Sequence, residues 1–173
     1  MTESLTTDKK ELLDYLEDSF DELKRVTDHL SGEKLGIKVG THWDIGQLLE
    51  HLIKVQAGIL WVFKGQSVPA SRKPLEKLNI LIPAFQDDNI KLQASEGVKP
   101  NEDPKDLIKM IDKFKSNRLR LIESLDHINP EEEYTGFSHH AFGTLTGAEW
   151  IYLEHFHTHR HLRQLASALN IHA

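Results

Sequence analysis

Four stretches of this chain repeat apolar residues at every third or fourth position, and that spacing restricts the fold more than any other feature. The first runs from about Asp8 to Leu30, with Leu12, Leu16, Phe20, Leu23 and Leu30 on one face and Asp8 and Glu11 as a variant capping box. The second, about Trp43 to Lys64, carries Leu48, Leu52, Val55, Ile59 and Phe63; Thr41 is placed to cap it, with Asp44 in the first turn. The third opens at "EDPKD", where Asp103 reads as the cap and Pro104 as the first helical residue, and "NP" at Asn129 and Pro130 ends it. The fourth opens at "TGAEW", with Thr146 and Glu149 as a capping box, and runs to about Asn170. Strand signals are few.

The links between these helices set the topology. The first is short, as antiparallel neighbours need. The second spans about 37 residues, Gly65 to Asn101, and contains four prolines. A link of that length lets helices two and three run parallel, so the expected fold is an all-α, four-helix bundle of up-down-down-up order with a long crossover. Part of the crossover, "AFQDDNIKLQAS", reads as a short helix. At 173 residues, one domain over 1–173 is expected, with a sizeable buried core.

Charge and composition exclude several functions. A net charge of -6, with Lys and Arg scattered among Asp and Glu, argues against nucleic-acid or anionic-membrane partners. No apolar run is long enough for a membrane span, and "MTESLTTDKK" lacks the apolar core of an export signal. The absence of cysteine removes disulfides, thiolate ligands and a Cys nucleophile, and fits a reducing compartment, so a cytoplasmic location is expected. A homodimer is compatible with a bundle of this size, although no apolar stripe marks an interface.

Histidine is the unusual residue: there are 11, and seven follow Ser138. Four alternate in "EHFHTHRHLRQL". On a helix at about 100° per residue, with Trp150 at zero, His157 falls near 340° and His161 near 20°, inside the apolar stripe. His155, near 140°, and His159, near 180°, point outward and read as surface residues. An inward pair at i and i+4 is a metal clamp, and His51, at the edge of helix two's apolar face, is the best third ligand. Three neutral imidazoles leave coordination positions open for water or substrate. The plainer alternative is a hydrogen-bonded histidine in the core. Glu154, near 40°, shares the inward side and reads as a general base, a carboxylate fixing an imidazole, or an exposed residue. Gln164 reads as a site-lining or cross-bundle residue, Trp43 and Trp150 as core or pocket wall, and His139 and Phe142 as neighbours of the pocket mouth. "GTLTG" reads as a turn leading to the Thr146 cap rather than a phosphate loop.

Three segments resemble the DinB-like superfamily of four-helix bundles, read as metalloenzymes. "HWDIGQLLEHL" is similar to the family's second helix, with His51 at the first metal histidine. "HTHRHLRQL" is similar to its fourth-helix motif, with His157, His161 and then Gln164. "HHAFGTLTGAEW" resembles the lead-in of one poorly characterised branch, with His140 where that branch has proline. The resemblance implies a divalent metal, zinc or nickel foremost, on His51, His157 and His161. It further implies a small-molecule substrate and thiol S-transfer, with a low-molecular-weight thiol as cosubstrate, or hydrolysis. The alternative is a non-catalytic bundle that binds a small ligand or partner and uses the metal as a staple.

Overall fold

A computed structural model describes residues 5–40 and 43–171. In chain order its helices are α1 (Lys9–Thr27), α2 (Ile45–Val62), α3 (Leu78–Gln86), α4 (Leu107–Ser124) and α5 (Gly147–Ala168). Its short strands are β1 (Lys38–Val39), β2 (Trp43–Asp44), β3 (Ser67–Pro69), β4 (Glu132–His139) and β5 (Gly143–Thr146). The chain is therefore mostly helical, with two small antiparallel sheets, β1-β2 and β3-β4-β5, that the amphipathic spacing did not announce. β1, β2, β3 and β5 are too short to show a period, and along β4 only Tyr134 is buried, so burial does not alternate along it. They form because Tyr134, opposite Leu145, buries its ring against Phe63, and because Gly143, at φ +70°, closes the turn between β4 and β5 in a conformation that favours glycine. "GTLTG" is accordingly a strand running into the cap.

The caps explain the helix starts. Asp8 accepts from the amides of Lys10 and Glu11, and Thr146 with Glu149 forms the expected box on α5. Thr41 lies outside the described residues. Asp44 caps α2, accepting from Gln47 N at 2.8 Å while its own amide donates to Gln47 Oε1 at 3.1 Å. Pro104 is not the first residue of α4, and Asp103 is not its cap. Asp103 is held in a turn by Asn101, and Asp106 caps α4 by accepting from Lys109 N at 3.1 Å. The short helix of the crossover is also displaced. It ends at Gln86, with Pro83 inside it, because Leu78, Leu81 and Phe85 bury their side chains in the core and outweigh the local cost of the proline.

The four long helices form a closed ring of contacts: α1 on α4 and α5, α2 on α4 and α5, with α3 laid over α5. Their apolar stripes build two clusters. Leu12, Leu16, Ile59, Leu121 and Tyr152 belong to one, and Leu23, Leu48, Leu52, Phe114, Leu162 and Leu165 to the other. Along every long helix, buried polar residues interrupt the stripe between the clusters: Ser19 on α1, Gln56 on α2, Asn117 and Arg118 on α4, and Glu154, His155, His157, Thr158 and Arg160 on α5. Such a belt costs stability unless its members satisfy one another. At its centre Arg118 and Glu154 form a two-pronged ion pair, both N–O contacts 2.5 Å, with Gln56 and Thr158 also donating to the carboxylate. No helix among the described residues is long and apolar enough to cross a membrane.

Candidate metal centre

Helical spacing puts His157 and His161 one turn apart on α5, and the packing of α2 against α5 brings His51 to them. The three Nε2 atoms converge: His157 Nε2 lies 3.0 Å from that of His51 and 3.1 Å from that of His161. Hydrogen bonds set the tautomers. His51 Nδ1 donates to the Val98 carbonyl at 2.8 Å, and His161 Nδ1 donates to Gln164 Oε1 at 2.7 Å. Both rings therefore point an Nε2 lone pair at His157. One proton on His157 Nε2 cannot bond well to both, and His157 Nδ1 is buried with no hydrogen-bond partner. A cation among three lone pairs resolves the conflict, so these residues could hold a metal ion. Burial reinforces the arrangement. It lowers His51, takes His157 well below the ordinary histidine range, and holds His161 at about 3, in each case because the charged ring would lose its water.

The crossover supplies what periodicity could not reveal. Val98 sits in a 3-10 turn (Glu96–Val98) tied to α2 around His51: Lys54 Nζ donates to Lys99 O at 2.6 Å, and Glu50 accepts from Asn101 N at 3.2 Å. Arg160 donates to the carbonyls of Ala84, Asp87 and Ile90, which fastens the same link to α5. Phe85 of α3 sets its ring 5.3 Å from that of His157. A backbone carbonyl contacting a histidine has no sequence signal. Arg160 had one, a charged residue between two inward histidines.

The centre opens into a cavity of about 1550 Å³, beyond the roughly 300–1,000 Å³ usual for small-molecule sites. Trp43, whose ring is 4.9 Å from that of His51, and Trp150 both line it, as does His139. Phe142 is buried beside them, between Phe85 and His139.

Three expectations need correction. Glu154 is neither a base at the centre nor exposed; it is fully buried, with both oxygens engaged by Arg118. Arg118 occupies the stripe of α4 one turn after Phe114, and a charge at that position was the available clue. His155 is not a surface residue. It is 7% exposed, because α1 packs over the side of α5 that angle counting left to solvent. His159 is half-buried and lies against Asp18 of α1.

A family model described as the DinB superfamily matches residues 15–165 of the chain. No curated protein matches it, nor does any solved structure. The match takes in α2 and α4 whole and most of α1 and α5, and includes His51, His157 and His161, and on that extent the chain belongs to the DinB superfamily.

Proposed function

We propose that His51, His157 and His161 hold a divalent metal ion, zinc or nickel, and that the chain is a metal-dependent enzyme acting on an anionic small molecule, as a thiol S-transferase or a hydrolase. The observation that carries this reading is the convergence of three Nε2 atoms, two with their tautomers set, at the wall of a large cavity. An ion there supplies Lewis acidity, polarising a substrate atom or acidifying a thiol or water. The chain's own groups do the rest. Val98 and Gln164 orient two of the imidazoles, and Trp43 and Trp150 give the substrate an apolar wall. Lys38, Lys54, Lys91, Lys99, Arg160 and Arg163 line the cavity; Lys54, Lys99 and Arg163 are ion-paired with Glu50, Glu96 and Asp88, which leaves the charges of Lys38, Lys91 and Arg160 in excess among the described residues. That excess of positive charge, on a chain of net charge -6, favours an anion such as a carboxylate-bearing thiol. We read the ring of long helices as the up-down-down-up bundle that the long second link implies.

One observation favours the second reading, a non-catalytic binding bundle with a structural metal: the carboxylate best placed in sequence to be a base, Glu154, is locked to Arg118. Elemental analysis of untagged protein tests the metal, and a screen of small thiols with electrophiles, alongside hydrolysable esters and amides, tests the chemistry. The expected result is a bound ion that His157→Ala, His161→Ala loses together with turnover. An ion content that this variant shares with the native chain, after incubation with zinc, nickel and manganese, overturns the metal reading; an ion lost without any turnover in the native chain moves the conclusion to the binding bundle.

A further inference from the structure

The alternating histidines form two clamps. His155 and His159, the second i, i+4 pair, face α1 rather than the cavity. We propose that His155, His159 and Asp18 form a second divalent transition-metal site, which joins α1 to α5. One ring nitrogen from each histidine and a carboxylate oxygen of Asp18 all lie within 4.8 Å of one another, and the two rings are 4.4 Å apart.

Two details distinguish this group from an ordinary ion pair. First, Asp18 Oδ2 is 3.0 Å from His159 Nε2, yet that buried nitrogen has no hydrogen-bond partner, so the oxygen lies off the axis of a ring N–H. Two donors side by side without a bond between them are what two ligands of one ion look like; on a tetrahedral ion at about 2.0–2.1 Å they stand roughly 3.3 Å apart. Second, His155 already has the outer hydrogen bond of a metal ligand. Its Nδ1 is 2.9 Å from the Tyr15 carbonyl, which can only accept, and 3.0 Å from Ser19 Oγ. The proton is therefore on Nδ1, and the lone pair the ring has left to give is on Nε2. Two imidazoles and one carboxylate suit zinc or iron(II). The Asp18 side chain is 64% exposed, so ions have access and water can complete the coordination.

The site is independent of the three-histidine centre, and its test is a difference in stoichiometry. The untagged full chain is stripped with chelator, dialysed against low-micromolar zinc, and its zinc measured against protein. The variants Asp18→Asn and His159→Gln are treated in parallel with His161→Ala, with circular dichroism to establish folding. Expected is one fewer equivalent in each of the first two variants than in the native chain, and retention of that equivalent in His161→Ala. Zinc in Asp18→Asn equal to that in the native chain overturns the proposal. If the three-histidine centre takes no ion, the native chain still holds one that Asp18→Asn loses, so the two readings fail separately. Cobalt substitution gives a second readout. The native-minus-Asp18→Asn visible spectrum is expected to show the d–d bands of a nitrogen- and oxygen-ligated ion, and a featureless difference counts against the site.

Discussion

Acidification of the metal-free protein tests the electrostatics of the histidine belt. His155 is held at about 4 and His161 at about 3 in the fold, against 6.5 for an unburied histidine, and desolvation is the main cause in both. Between those values the unfolded chain binds more protons than the folded one, so stability is fully present above about pH 6.5 and falls as pH drops toward the folded values. At pH 5 each ring costs about 2 kcal/mol, so the two together remove roughly 4 kcal/mol. His157, lowered for the same reason, adds in the same direction. Domains have about 5–15 kcal/mol in all, so metal-free protein at pH 5 is expected near the edge of folding, with Tm down by about 8–16 °C from its value at pH 7.5. Thermal unfolding monitored by circular dichroism, in chelator across that range, measures it. A Tm that moves by less than about 2 °C would refute the reasoning, because it would mean the rings titrate alike in both states. Calorimetry gives an independent check. Three ordinary imidazoles at pH 6 would release about two protons on taking up an ion, whereas rings that burial holds below the ordinary histidine range release fewer. Zinc titrated into the Asp18→Asn chain in buffers of different ionisation enthalpy is expected to show the second result.

Three further outcomes follow from particular contacts. Glu154→Gln strands the Arg118 charge in the core and is expected to cost about 3–5 kcal/mol in urea unfolding, while Arg118→Met with Glu154→Leu recovers most of it; a loss under about 1 kcal/mol in the single variant would show that the pair is not truly desolvated. Gln164→Ala leaves His161 Nδ1 without its acceptor and should weaken zinc binding about 10–100-fold at unchanged fold, read by competition with a chromophoric chelator; unchanged affinity would remove Gln164 from the centre. Gly147→Ala would set a Cβ 2.6 Å from the Asn129 carbonyl, so the start of α5 must shift, and a loss of about 1–3 kcal/mol is expected in the same urea assay.

The sequence by itself determined the long helices and the inward histidine pair of the fourth. Stripe residues and caps are local, and an i, i+4 pair on a helix faces one way whatever surrounds it, so His157 and His161 were legible as inward; His51 was legible as a candidate at the edge of its helix face, and the packing of α2 on α5 brought it to them. The DinB superfamily was legible for the same reason, since the motifs that carry its histidines lie on those helices. Local competition decided the start of α4, where Asp103 and Asp106 were both able to cap and only the contact with Asn101 separated them. Tertiary structure alone decided what lies outside a single helix. Angle counting assumes that the face opposite the stripe meets water, but α5 is covered by α1 on one side and α3 on another, which buried His155 and brought Asp18 to His159. Glu154 shares the inward side with the triad, yet its partner is Arg118 from α4, and only the packing of those helices settled which of the two it meets. The Val98 carbonyl reaches His51 through a crossover of more than thirty residues. Backbone acceptors carry no residue identity, so no reading of side chains could have assigned it.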